Sequence, residues 1–168
     1  VNPLPPVVVA LFLIIIGVEA ALALAARGLI GGPAGMGWGL EAIQSYAFSG
    51  LIFDWMWDNG QWPIEHLIRF VSYLFVHGSF THTLFVCVML LALGKMVGEV
   101  FSGLATLSVF VVAGVVGALG YAVILDDQAP LFGGFPGVYG LIGAFTYLLW
   151  LKLGELGAQQ VRAFTLIG

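Results

Sequence analysis

Apolar residues in this chain come in long unbroken runs rather than in alternation. Four runs are long enough to cross a bilayer. They are Val7–Ala26, interrupted only by Glu19; Phe80–Met96, with Lys95 at its end; and Leu104–Leu125 and Gly133–Leu151, which carry no charge. At about 1.5 Å of rise per residue, each approaches the ~30 Å hydrocarbon core. Lipid cannot satisfy exposed backbone N–H and C=O groups, so each run must be helical. The pattern predicts an all-α polytopic membrane protein of one domain. Its expected parts are a first span 1–26, a connection 27–78, and spans 79–100, 103–125 and 133–152. The residues from Val161 to Gly168 read as the start of a fifth apolar segment. Val rather than Met stands first, and the two ends together suggest a fragment, truncated at its C-terminus. No repeat of 20–50 residues marks an array.

The connection from Arg27 to Gly78 is neither apolar enough to span nor polar enough for an ordinary loop. It opens with a glycine-rich run from Gly31 to Gly37. It then carries Trp38, Trp55, Trp57 and Trp62 among the acids Glu41, Asp54, Asp58 and Glu65. Trp prefers the headgroup layer, where the ring is dry and the N–H stays wet. The stretch predicts amphipathic helices lying in the interface, over Leu40–Trp57 and Ile64–Val76. A folded loop domain in water is the alternative.

Composition strengthens this picture. The chain is 61% hydrophobic and 8% charged, with a mean hydropathy of +1.07, where soluble domains carry about 25% charged residues. The net charge of −4 gives no basic patch for nucleic acid. Cys87 is alone inside an apolar run and reads as a small buried hydrophobe. The first span lacks a basic leader and exceeds the length of a signal-peptide core. With the N-terminus in the cytoplasm, Lys95, Lys152 and Arg162 fall inside, and Arg27 and Arg69 outside. Asp126 and Asp127 then join the acidic outer side.

Three histidines punctuate the chain. Ser79 reads as an N-cap, which places His82 in the first turn of the second span and His77 just before it. Two imidazoles at a helix start can hold a metal, but no third ligand stands nearby, and His66 lies eleven residues before His77. No metal and no cofactor is expected. An ionisable residue in a span is a functional hypothesis, and the bland alternative for His82 is an imidazole satisfied by a backbone carbonyl.

Two segments decide between these readings. Residues 68–82 read IRFVSYLFVHGSFTH, and residues 133–145 read GGFPGVYGLIGAF. Together with Leu93-Gly94-Lys95-Met96-Val97-Gly98-Glu99, they resemble the rhomboid family of intramembrane serine proteases. The resemblance runs over roughly residues 5–168 and implies a rhomboid-like helix bundle. The four spans would be the first four helices of a six-helix core, with interfacial helices in the first loop. In that family a Ser–His dyad cleaves the peptide bond. The second His of the His-Gly-Ser-x-x-His segment, and an Asn four residues on, help form the oxyanion hole. The resemblance places His82 on that second His, with His77 as the first, but puts Val86 on the Asn. Along the glycine pattern, Gly133, Tyr139, Gly140, Gly143 and Ala144 fit, while Phe135 takes the place of the nucleophile and Pro136 that of the next Gly. Sliding the frame by one puts Pro136 on the Ser, and neither frame offers a hydroxyl. No Ser follows Ser108 and no His follows His82. The family's dyad His belongs to a sixth helix beyond this sequence.

Glycines have a structural reading without any family. Gly114, Gly117 and Gly120 recur every three residues, as do Gly137, Gly140 and Gly143. Such stripes let helices approach closely in lipid. Pro136 suits a helix start. Glu19 is a charge within a span, read either as water-facing or as a partner-binding group. The expected protein is a rhomboid-like pseudoprotease of the bacterial inner membrane, with no catalytic residue. It acts as a helix-binding or scaffolding subunit whose partners are other transmembrane proteins, in a larger complex, and lipids. An active rhomboid-type protease is the alternative. A small transporter or channel is the third reading, and it lacks the charged relay such a path needs.

Overall fold

A computed structural model describes residues 3–125, 127–157 and 159–165. Asp126 of the expected acidic loop, residues 1–2 of the first span and residues 166–168 of the expected fifth segment lie outside them. Among the described residues, four helices are long and apolar enough to cross a membrane: α1 (Pro6–Ala26), α7 (Phe80–Val100), α8 (Gly103–Gly120, continued as a π-turn over Tyr121–Leu125) and α9 (Phe135–Glu155). Between α1 and α7 lie five short helices: α2 (Gly32–Gly35), α3 (Trp38–Tyr46), α4 (Gly50–Asn59), α5 (Ile64–Leu67) and α6 (Arg69–Ser72), then a 3-10 turn over Tyr73–Phe75. A last turn, α10, covers Arg162–Thr165. No strand occurs among the described residues.

The spans run up and down. Pro5 and Val7, at the start of α1, meet Gly98 near the end of α7 and Gly103 at the start of α8. α8 packs along α9, α1 along α7, and α7 along α9. α7 is the most buried of the four. Leu90, Val97, Phe110 and Leu141 fill the centre with Val8 and Ile15 of α1.

The expected interfacial helix Leu40–Trp57 is not continuous. It breaks at Ala47–Ser49, between α3 and α4. There Phe48 is extended and exchanges both backbone hydrogen bonds with Leu131, at 2.9 Å each. Ser49 caps α4 by accepting from the Ile52 N–H at 3.4 Å. The Phe48 ring is buried against Phe70 (4.9 Å between centroids, edge-on) and Tyr73 (6.4 Å). Arg69 Nη1 donates to the Ala47 carbonyl at 2.9 Å, and the Ser72 hydroxyl donates to the Tyr46 carbonyl at 2.8 Å. These side-chain donors take up carbonyls that the broken helix leaves unpaired. The segment Ile64–Val76 is likewise three short turns rather than one helix.

The glycine stripes divide. A Cβ on Gly114 would strike Leu74, one on Gly117 would stand 2.9 Å from Pro136 Cβ, one on Gly137 2.5 Å from the buried Phe110 ring, and one on Gly140 3.0 Å from the Val109 carbonyl. Gly120 and Gly143 face open space within this chain, with nothing within 4 Å of the Cβ each would carry. A three-residue period turns gradually around a helix of 3.6 residues per turn, so only part of each stripe faces the crossing. Gly94 and Gly98 of α7 are tight outside either stripe, against Val8 (2.9 Å) and Pro5 (2.7 Å). Their four-residue spacing is the small-xxx-small signal that would have found them. Gly137→Ala should therefore destabilise the protein by about 1–3 kcal/mol through overpacking. Gly143→Ala should be neutral, or stabilising by up to about 1 kcal/mol from helix propensity. Unfolding in mixed micelles checks both, and equal effects would contradict this packing.

Candidate functional site

Three segments converge where α7 and α9 begin. Ser79, extended, caps α7 by accepting from the His82 N–H at 3.3 Å. This holds the His82 ring at the helix start. His77 precedes the cap and is 6% exposed. The chain entering α9 is pinned at Gly133, whose N–H donates to the Tyr73 carbonyl at 2.8 Å. Gly133 has φ +108°, a conformation that L side chains rarely adopt. A Cβ there would also strike the His82 imidazole.

The next residue sets the chemistry. The Gly134 N–H donates to His77 Nε2 at 3.2 Å, in a buried setting. An accepting nitrogen carries no proton, so the neutral ring holds its proton on Nδ1. That nitrogen is buried beside the Phe75 backbone. Burial, and then the neighbouring His82, push the His77 pKa down to about 4. His77 is thus a neutral acceptor at neutral pH, a structural anchor for the α9 entry.

His77, His82, Phe135 and Tyr139 form one ladder of rings. His77 meets His82 edge-on, with centroids 5.0 Å apart and planes at 82°. His82 lies face to face with Phe135 at 5.0 Å and 16°. Phe135 faces Tyr139 at 6.0 Å and 22°, the i,i+4 neighbour on α9. The ladder runs from the buried His77 to the exposed Tyr139. Val86 is fully buried, and a Cβ on Gly134 would stand 2.7 Å from its Cγ1. Pro136 sits in the first turn of α9 and packs against Gly117, where a missing N–H costs nothing. The neighbouring hydroxyl, that of Tyr73, donates to the Gly114 carbonyl at 2.8 Å, and burial raises its pKa.

The positions singled out in sequence therefore do come together: His77, His82, Val86, Phe135 and Pro136 share one site. The side chain that lies against the His82 ring is the phenyl of Phe135. His82 Nε2 is buried without a hydrogen bond. Among the described residues no three His, Cys, Asp or Glu side chains gather to hold a metal. Sequence reasoning missed Tyr139 as the outer rung and the Gly134–His77 hydrogen bond.

A profile of the Rhomboid domain matches residues 65–167, more than half of the chain. The chain belongs to the rhomboid family. The matched region of this rhomboid holds the whole ring ladder and α7 to α9. α1 and most of the Trp-rich connection lie before it. No curated protein and no solved structure matches the chain. This rhomboid is an integral membrane protein, as its four spanning helices require.

Proposed function

We propose that this rhomboid-family membrane protein does not hydrolyse peptide bonds and acts as a helix-binding or scaffolding subunit of a membrane complex. The observation that carries the reading is the Phe135 ring lying face to face with His82. Phe135 stands where the sequence pattern of active relatives has a hydroxyl, and a phenyl ring has no lone pair to attack a carbonyl. Val86 supports the same reading, because a buried isopropyl group donates no hydrogen bond to a developing oxyanion. The exposed apolar faces of α8 and α9, around Val112, Val116 and Tyr147, suit contact with other transmembrane helices or lipid. The cellular setting we propose is the bacterial inner membrane with the N-terminus in the cytoplasm. That places Lys95 and Lys152 inside, in accord with the preference of basic residues.

A serine-directed fluorophosphonate tests the missing nucleophile. The purified protein should remain unlabelled at concentrations that saturate an active rhomboid protease. Labelling that is lost in His82→Ala would overturn the proposal.

A further inference from the structure

Glu19 lies in the outer half of α1, half-buried, and is poorly satisfied. The Thr83 hydroxyl donates to Glu19 Oε2 at 2.9 Å, but its single proton is shared with the Ser79 carbonyl at 3.1 Å. A carboxylate offers about four acceptor sites. The ion pairs among the described residues, Lys95–Glu99 and Lys152–Glu155, do not include it. Arg27 lies about 12 Å further along the helix axis, two turns away.

The carboxylate opens onto a lateral groove of about 390 Å³ between α1 and the start of α7. Ile16, Ala20, Ala23 and Leu24 line it from α1, Arg27 from the cap that follows, and the exposed Phe80 from α7. Ile16, Ala20, Ala23 and Arg27 are spaced four, three and four residues apart, the seam on which a second helix packs at a shallow angle. Alanines beside Glu19 let another backbone come close. Charge complementarity specifies the occupant, because an intramembrane carboxylate is costly without a cation.

We infer that the α1 groove docks a transmembrane helix of another protein that carries a Lys or Arg in its outer third, paired with Glu19. The inference rests on the helix-binding reading above and names where and by what charge the partner is held. The basic side chain reaches Glu19 at the depth of Thr83, one turn inside the start of α7. Its stem lies along Ala20 and Ala23, and the carboxylate gains the hydrogen bonds that Thr83 leaves unmade.

The test uses the whole chain in phosphatidylcholine vesicles and a Leu/Ala peptide helix of about 23 residues, long enough to span. The peptide carries one Lys in its outer third, or Leu at the same place. Energy transfer should show the Lys peptide associating at least about tenfold more tightly than the Leu peptide. Glu19→Gln should erase that preference and Ala23→Leu should block docking, while Val100→Leu, exposed at the opposite end of α7 from Phe80, should change neither. Equal binding of the two peptides, or a preference that survives Glu19→Gln, would overturn the site. A preference abolished by adding phosphatidylethanolamine would overturn it in favour of a lipid amine. Mass spectrometry of the recovered peptides separates the two levels. Cleaved peptide overturns the non-proteolytic reading, and intact peptide bound without Lys preference overturns the Glu19 site alone.

Discussion

Phe135→Ser should leave the protein without measurable peptide-bond hydrolysis. The substitution puts a hydroxyl where the Phe135 ring faced His82, yet it supplies only one part of the machinery. Val86 still offers no donor, and Pro136 has no N–H. The Gly134 N–H is already spent on His77 Nε2 at 3.2 Å. Removing a single oxyanion donor from a working protease costs about 10²–10³ in kcat. The same change removes a stacked ring, so stability should fall by about 1–3 kcal/mol. Release of a fluorescent fragment from a transmembrane reporter is the readout. Turnover by the single variant would show that the remaining residues form an intact site, against the non-proteolytic reading.

Acid should loosen the entry to α9 through His77. Its pKa is held at about 4 by burial and by His82, below the ordinary value of 6.5. The unfolded chain therefore binds more protons than the folded one between these values, and stability rises with pH across that window. The contribution is fully present above about pH 6.5 and is lost as pH falls toward 4. Protonation also gives Nε2 a hydrogen, which would meet the Gly134 N–H head-on. His77→Gln should flatten the slope between pH 6.5 and 4, a difference that cancels the titration of the surface carboxylates common to both proteins. His77→Ala should cost about 2–4 kcal/mol at neutral pH, since it leaves a buried N–H unpaired and a cavity behind. Identical pH profiles for the wild type and His77→Gln would contradict the anchor role.

The spans are legible in the sequence because lipid leaves an apolar run no alternative to a helix. Glu19 and Lys95 interrupt the pattern without erasing it. The break at Ala47–Ser49 is not legible. Its cause is a pairing of Phe48 with Leu131, far along the chain, and nothing local in Leu40–Trp57 marks it. The clustering of His77, His82, Val86 and Phe135 follows from two motifs in known register. What those motifs do not carry is the tautomer of His77, because its partner is a backbone N–H 57 residues away. The stacking of Phe135 on Tyr139 is within reach, as an i,i+4 aromatic pair on one helix face. The glycine stripes mark the right helices but not the crossing point. Spacing alone cannot say which glycines face the neighbour, and Gly120 and Gly143 do not.

The most direct test of the central claim is the fate of a transmembrane substrate held by the wild-type protein in liposomes. A reporter helix that active rhomboid proteases cut should be recovered at its full mass after prolonged incubation, while an active protease in parallel vesicles cuts it. Fragments that appear with purified wild-type protein and vanish with His82→Ala would contradict the claim that this rhomboid binds helices without cutting them.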